Sequence, residues 1–315
     1  MNLKKRKVII SCAVTGAAHT PSMSDHLPLT PEEITQQAVD AARAGASILH
    51  LHARDPEDGS PSLDPAVFDR FVPQIAAQTD AIINITTEGY THTPLDERLA
   101  YPLQAKPELC SLNMGSINLS LHRAWRGITD WKFPWEQSYV EESEGVVIGN
   151  TLSDIKDVFA YLGDTHDVRF EFECYDLGHL HNLALFVEEG LVRGPLFIQC
   201  AVGVSGGLNA DPENLFVMRS TADRLFGRDN YEFSVLGAGR NQMSLVTMGA
   251  IMGGHVRVGL EDSLFLGRSQ LAPSCAAQVL KIRRLLEELS LEIATPAEAR
   301  EILQTKGAHK VAFHG

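Results

Sequence analysis

The stretch Ile48-Leu49-His50-Leu51-His52-Ala53-Arg54-Asp55-Pro56 begins as an apolar run and ends in a polar turn. Its apolar half reads as a buried strand, and in a strand residues two apart point to the same face. His50 and His52 therefore project side by side where the strand opens into a loop. Two neutral imidazoles at that spacing suit a divalent metal. The same pair could also be two hydrogen-bonded core histidines, so the surrounding chain has to decide.

Working outward, the same unit recurs. Val8 to Val14 is a strand candidate before the histidine strand, Ala46 to Ala53. Between them, Thr30-Pro31-Glu32-Glu33 opens a helix with Thr30 as N-cap, Pro31 at the first helical position and Glu33 completing a capping box. Gly45 ends it. Further strand candidates are Ala81 to Thr86, Glu108 to Asn113, Val168 to Cys174, Leu196 to Ala201, Glu232 to Leu236 and His255 to Gly259. Helices are expected over Asp64 to Gln78, Pro94 to Gln104, Ser153 to Leu162 and Leu180 to Glu189. Others run from Asp211 to about Leu225 and, after Gly237-Ala238-Gly239-Arg240, to about Met252. Gly115 to Glu144, with Trp125, Trp131 and Trp135, reads as an elaborated loop in which the tryptophans pack the loop or meet another subunit. Val146 to Ile148 is a short extra strand. Pro273 to Leu289 and Pro296 to Leu303 close the chain, the second opened by another capping box at Thr295-Pro296-Ala297-Glu298.

Eight strands, each followed by a helix, predict an α/β fold of the (β/α)8 TIM-barrel type with extra C-terminal helices. Residues 1–315 form one domain in this reading, with a helical extension over about 273–307. An open doubly wound sheet is the alternative. The 44% apolar content supports a large core, and the net charge of −13 argues against nucleic acid or anionic membrane as partners. Cys12, Cys110, Cys174, Cys200 and Cys275 are odd in number and without CxxC spacing, as in a reduced cytoplasmic protein. The run after Lys4-Lys5-Arg6-Lys7 is too short and too quickly polar for a secretory signal, and no stretch approaches the roughly 20 apolar residues of a membrane span.

In such barrels chemistry gathers at the strand ends that lead into helices. Strand two brings His50, His52, Arg54 and Asp55 there, strand three Asn84, Thr86, Thr87 and Glu88. Strand four brings Ser111 and Asn113, strand five Glu171 and Glu173. Strand eight brings His255 and Arg257, followed by Glu261 and Asp262. Polar groups repeated at so many strand ends are costly to bury without partners, and a metal would be one. Glu261 is the natural third ligand, because strand eight lies near strands one and two in a closed barrel. Two histidines and a carboxylate leave coordination open for substrate. Plainer readings stand beside these. Glu171 and Glu173 could be a solvated edge, Arg257 and Asp262 a simple salt bridge, and Thr86 and Ser111 partners for backbone groups. Gly203 to Gly207, including Gly206, and Gly237-Ala238-Gly239-Arg240 suit close backbone approach to an anion. They lack a Walker lysine or a full GxGxxG motif.

The ordered set Thr15-Gly16-Ala17, Thr30-Pro31-Glu32-Glu33, His50-Leu51-His52, Ile85-Thr86-Thr87, Ser111-Leu112-Asn113, Gly237-Ala238-Gly239-Arg240, Gly253-Gly254-His255-Val256-Arg257, Glu261-Asp262 and Ala294-Thr295-Pro296 resembles the β-keto acid cleavage enzymes, from about Thr15 to Gly307. The resemblance implies a (β/α)8 barrel, a divalent metal (usually zinc, or another divalent transition metal), and a homo-oligomer, tetramer or dimer. It also implies an exchange between a β-keto acid and acetyl-CoA that gives acetoacetate and a new acyl-CoA. Carried over, the metal ligands would be His50, His52 and Glu261. Asp262, Arg257 and Glu173 would be catalytic, and Thr86 and Ser111 would hold substrate. Asn113, Gly206 and Arg240 are further substrate-binding candidates.

Two departures bear on substrate. The enzyme for the amino substrate carries a glutamate after Thr-Gly-Ala, where this chain has Ala18 followed by His19. A methyl group gives an ammonium no partner, so the expected substrate is not 3-keto-5-aminohexanoate. His19 could instead meet a polar or anionic tail. Glu88 stands where the family often has glycine, with either a specificity role or a surface one. A metal-dependent aldolase or hydrolase without CoA remains an alternative, as does a binding protein with a structural metal. No lysine lies in the strand-end motifs, which disfavours a Schiff-base aldolase.

Overall fold

The computed structural model describes residues 7–90, 93–121, 128–192 and 194–313. Trp125 and the basic residues Lys4, Lys5 and Arg6 lie outside them. Eight parallel strands close into a barrel: β1 (Ile10–Ala13), β2 (Ile48–Leu51), β3 (Ile82–Ile85), β4 (Leu109–Asn113), β5 (Arg169–Cys174), β6 (Leu196–Val202), β7 (Tyr231–Gly237) and β8 (His255–Val258). They follow one another around the ring in chain order. The ring closes where β1 pairs with β8, Ser11 beside Arg257, and with β2, Ala13 beside His50. The open-sheet alternative is thereby excluded.

Strand alternation divides the residues into two environments. Leu49, Leu51, Ile83, Ile85, Cys110, Leu112, Phe172, Cys174, Ile198, Cys200, Val256 and Val258 join the core between barrel and helices. Their neighbours in sequence face inward, and there the barrel is polar: Ser11, His50, Asn84, Ser111, Glu171, Glu173, Gln199 and Arg257 are all buried. A separate apolar layer of Ile9, Ile48, Ile82, Leu109 and Phe197 lies at the N-terminal ends of the strands. Ala294, Ala299 and Leu303, from the last long helix (Pro296–Leu303) and the residues before it, pack onto that layer and close the end opposite the polar one. The C-terminal extension is therefore the floor of the barrel.

The sequence reading needs correction in three places. The helix expected over Asp64 to Gln78 is two short ones, Pro65–Phe68 and Val72–Gln78. Pro73 has no N–H for a continuing helical bond and is tolerated only in a first turn, so a new helix starts there. The stretch from Gly115 to Glu144 contains a helix, Pro134–Glu142, and a strand, Ile117–Leu119, which pairs antiparallel with Val146–Ile148. Trp135 in that helix donates its indole N–H to the Asp58 carbonyl at 3.2 Å, and Trp131 packs on the core. Third, His255 belongs to the barrel floor. As the first residue of β8 it accepts the Ile9 N–H at Nδ1 (3.0 Å) and meets Glu232 at 3.0 Å through Nε2. Among the described residues no helix is long and apolar enough to cross a membrane.

Candidate active site

At the C-terminal ends of the strands the barrel opens into a cavity of about 440 Å³. Ala18, His19, His50, His52, Thr86, Glu88, Ser111, Glu173, Arg240, Arg257, Glu261 and Asp262 all line it. Asn113 and Gly206 are not among its lining residues. The paired strands around Ile117 and Ile148 form one side, which the loop reading of that region did not anticipate.

The two histidines converge as the alternation requires, Nε2 to Nε2 at 3.1 Å. The Glu261 Oε1 lies 3.3 Å from the His50 Nε2 and 3.6 Å from the His52 Nε2. Burial pushes His52 down to about 3, so its ring is neutral. Burial would also lower His50 and raise Glu261, but their mutual attraction reverses both: His50 is raised and Glu261 is held well below the carboxylate range. Two ring nitrogens and a carboxylate oxygen thus meet at one spot, where a metal ion would take the place of the His50 proton, and the Glu261 Oε2 is buried without a hydrogen-bond partner among the described residues. Two imidazoles and a carboxylate arranged this way fit a divalent transition metal with open coordination.

Gly16 makes this arrangement possible. Its φ of +59° is in the left-handed region, and a Cβ there would lie 2.2 Å from the Cγ of Glu261.

Beside the triad, Arg257 engages every N–H it has. Nε and Nη2 grip the two Asp262 oxygens at 3.1 and 3.0 Å, and Nη2 also meets Glu261 at 2.6 Å. Nη1 donates to Glu173 at 2.7 Å and to Gln199 at 3.2 Å. Below it Glu171, fully buried, accepts from Asn84 (2.8 Å) and Gln199 (2.6 Å). With 0% and 4% exposure, Glu171 and Glu173 are not a solvated edge. Nor is Arg257–Asp262 a simple pair, since four carboxylates stand within 4 Å of one guanidinium. That excess of negative charge is a second reason a further cation suits the site. Burial raises Asp262 to about 6 against the pull of Arg257, which keeps it able to exchange a proton near neutral pH.

The remaining candidates fall around the rim. The Thr86 Oγ accepts the Glu88 N–H at 3.0 Å, which leaves its own proton to donate. The Asn113 amide donates to the Glu88 carboxyl at 2.9 Å. His19 is buried, contacts the Leu260 carbonyl through Nδ1 at 2.9 Å, and is pushed by burial down to about 4, hence neutral. Arg54, fully buried, donates to the backbone carbonyls of Thr15, His19 and Gly59, and so ties the Ala18–His19 loop to the histidine strand. Arg240 packs on the Phe265 ring at 4.4 Å. Gly206 serves the scaffold, for a Cβ there would lie 1.8 Å from the Asn118 carbonyl of the paired strands. Sequence reading did not find Tyr90, Tyr139 and Tyr175, which also line the cavity. Tyr139 is on the helix Pro134–Glu142, inside the region read as loop, while Tyr90 and Tyr175 lie in segments without periodic signal.

A family model described as beta-keto acid cleavage enzyme matches residues 7–305. The chain is 53% identical over 309 residues to a 3,5-dioxohexanoate:acetyl-CoA acetone transferase of Paraburkholderia graminis, covering 98% of this chain and 99% of that one. It is 32% identical to a 3-dehydrocarnitine:acetyl-CoA trimethylamine transferase of Rhizobium meliloti, covering 95% and 97%. A 3-keto-5-aminohexanoate cleavage enzyme of Acetoanaerobium sticklandii is 33% identical, covering 94% and 98%. Among solved structures, ObcA in its binary complex with oxaloacetate has a TM-score of 0.70 at 20% identity, covering 90% of this chain and 68% of that one. That likeness is one of fold.

Proposed function

The chain belongs to the β-keto acid cleavage enzyme family, and from that premise we propose a metal-dependent enzyme that exchanges acyl groups between a β-keto acid and acetyl-CoA. The observation that carries the metal is the convergence of His50, His52 and Glu261 beside an arginine already engaged by carboxylates. Those three residues would hold the ion, zinc first among candidates. Bound there it would supply a Lewis acid for the oxygens of the keto acid.

The protein's own groups account for the proton traffic. Asp262, fixed by two bonds from Arg257, is the base for the proton between the two carbonyls of the substrate. The resulting carbanion adds to the acetyl carbon of acetyl-CoA and expels the thiolate. The thiolate adds to the original keto carbon, and the bond from that carbon to the condensed carbon breaks. A new acyl-CoA and the acetoacetate carbanion result, and Asp262 returns its proton to the latter. Thr86 and Ser111, which line the same cavity, would hydrogen-bond oxygens that become negative on the way. Arg257 acts through Asp262, since its N–H groups are all engaged by the protein.

The substrate in this reading has no cationic tail, because Ala18 offers none a partner. The name of the 53%-identical relative makes 3,5-dioxohexanoate the first compound to try. The test is to incubate the zinc-loaded chain with acetyl-CoA and a panel of β-keto acids and measure acetoacetate and the new acyl-CoA. Equal amounts of the two products, dependent on acetyl-CoA, are expected. Cleavage that proceeds without acetyl-CoA would favour an aldolase or hydrolase instead.

A further inference from the structure

Glu88 is not used by the chemistry above, yet it is in the cavity wall and is held there. Asn113 donates to its Oε2 at 2.9 Å, and its own backbone N–H is bonded to Thr86. Among the described residues no other side chain hydrogen-bonds to that carboxyl, so in this cavity-lining residue Oε1 is free to meet a ligand. Asn113 is paired in register with Glu173, so the Glu88–Asn113 couple sits one strand away from the Arg257 cluster, on the same face.

We propose that Glu88, fixed by Asn113, is the residue that recognises the far end of the substrate, and that it does so as a neutral acid donating its O–H to a carbonyl oxygen. This rests on the β-keto acid reading and deepens it: the substrate class becomes a β-keto acid whose tail carries a second, uncharged hydrogen-bond acceptor.

The geometry fixes which oxygen carries the proton, and burial holds it there. Asn113 donates its N–H to Oε2, a bond that by itself favours the carboxylate, so in the acid the proton is on Oε1. Burial in the wall and the nearby Glu173 carboxylate both favour the acid, which is raised to about 7. A carboxylate tail would meet the negative charge of Glu173 and Glu261 in the same cavity.

The test is binding to the zinc-loaded protein by calorimetry, without acetyl-CoA, so that it does not depend on turnover. The probes are 3,5-dioxohexanoate and 3-oxohexanoate, which differ by one oxygen. The native chain should prefer the dioxo acid by about 10-fold or more, the cost of leaving the buried Glu88 O–H unpaired when the second carbonyl is missing. Glu88→Gln places an amide donor where the acid stood and should keep most of that preference. Glu88→Leu should abolish it. Equal binding of the two acids by the native chain overturns the proposal, as does a preference that survives in Glu88→Leu. If Glu88→Leu does not fold, Glu88→Gln still decides, since loss of the preference there would mean that a carboxylate is required. Tighter binding of 3-keto-5-aminohexanoate than of either acid would likewise overturn it. Failure of the exchange reaction itself would instead show as no acetoacetate from any acid.

Discussion

Arg257 holds Asp262 by two parallel hydrogen bonds, Nε to Oδ2 at 3.1 Å and Nη2 to Oδ1 at 3.0 Å, and neither residue has freedom to turn. Bidentate pairing fixes a carboxylate in plane and direction as well as in position. A base so held presents the same lone pairs to each substrate, which is the use of rigidity in proton transfer.

The first prediction concerns Arg257 as a structural hub. Arg257→Met leaves Glu173, Glu261 and Asp262 buried without their shared cation. Removing one member of a buried ionic cluster typically costs about 3–5 kcal/mol. Arg257→Lys should cost less, since the charge remains, but it cannot reproduce the fork that reaches four partners. Urea unfolding of both variants measures this. A loss below about 1 kcal/mol for Arg257→Met would show that the carboxylates do not depend on it.

The second separates ligand from base. Glu261→Gln removes a carboxylate from the three-donor set, and metal affinity should fall by more than the roughly 10–100-fold typical of losing a supporting residue. Asp262→Asn keeps all three donors and should retain metal, while turnover drops by about 10²–10⁴-fold. Metal content by elemental analysis and steady-state rates distinguish the two. Normal turnover in Asp262→Asn would remove it from the mechanism.

The third concerns Gly16. An alanine there is opposed twice, by a φ of +59° and by the Glu261 Cγ at 2.2 Å. Relief requires Glu261 to move away from His50 and His52. Gly16→Ala should therefore lose metal as Glu261→Gln does, although it alters no ligand, and should also lower stability by about 1–3 kcal/mol. Full metal occupancy in Gly16→Ala would show that the loop can yield without moving the carboxylate.

The barrel was legible because strand and helix periods alternate in blocks and because capping boxes mark helix starts, as at Thr30 and Thr295, both of which form. His50 and His52 were legible for the same reason: a two-residue period forces them together. What the sequence did not disclose arises from contacts between distant segments. Nothing local in Glu171 or Glu173 says that Arg257, more than 80 positions on, lies against them. His255 illustrates the converse. It shares a strand with Arg257, but two residues along a strand separate the floor of this barrel from its polar end. Gly206 reads as a ligand-approach glycine until the Asn118 carbonyl is seen where its side chain would go.

The last prediction uses the raised value of Glu88 as a stability probe. Its carboxyl titrates at about 7 in the folded chain against 4.5 as an ordinary glutamate. Below pH 4.5 it is protonated in both states, and the stability associated with the neutral acid is fully present. Between 4.5 and about 7 the unfolded chain has released the proton while the folded chain still binds it, so unfolding gains with rising pH. By pH 7 the native chain has lost roughly 2–3 kcal/mol at most from this group, less to the extent that water enters the cavity. Glu88→Gln has no such proton to lose. In chelator-treated protein its melting temperature relative to the native chain should therefore climb from pH 4.5 to 7 and level off above. The neighbours that set the shift, Glu173 foremost among the charged ones, are unchanged by the substitution. A difference that stays flat across that window, or that shrinks, would mean that Glu88 is ionised in the folded protein and is no hydrogen-bond donor at neutral pH.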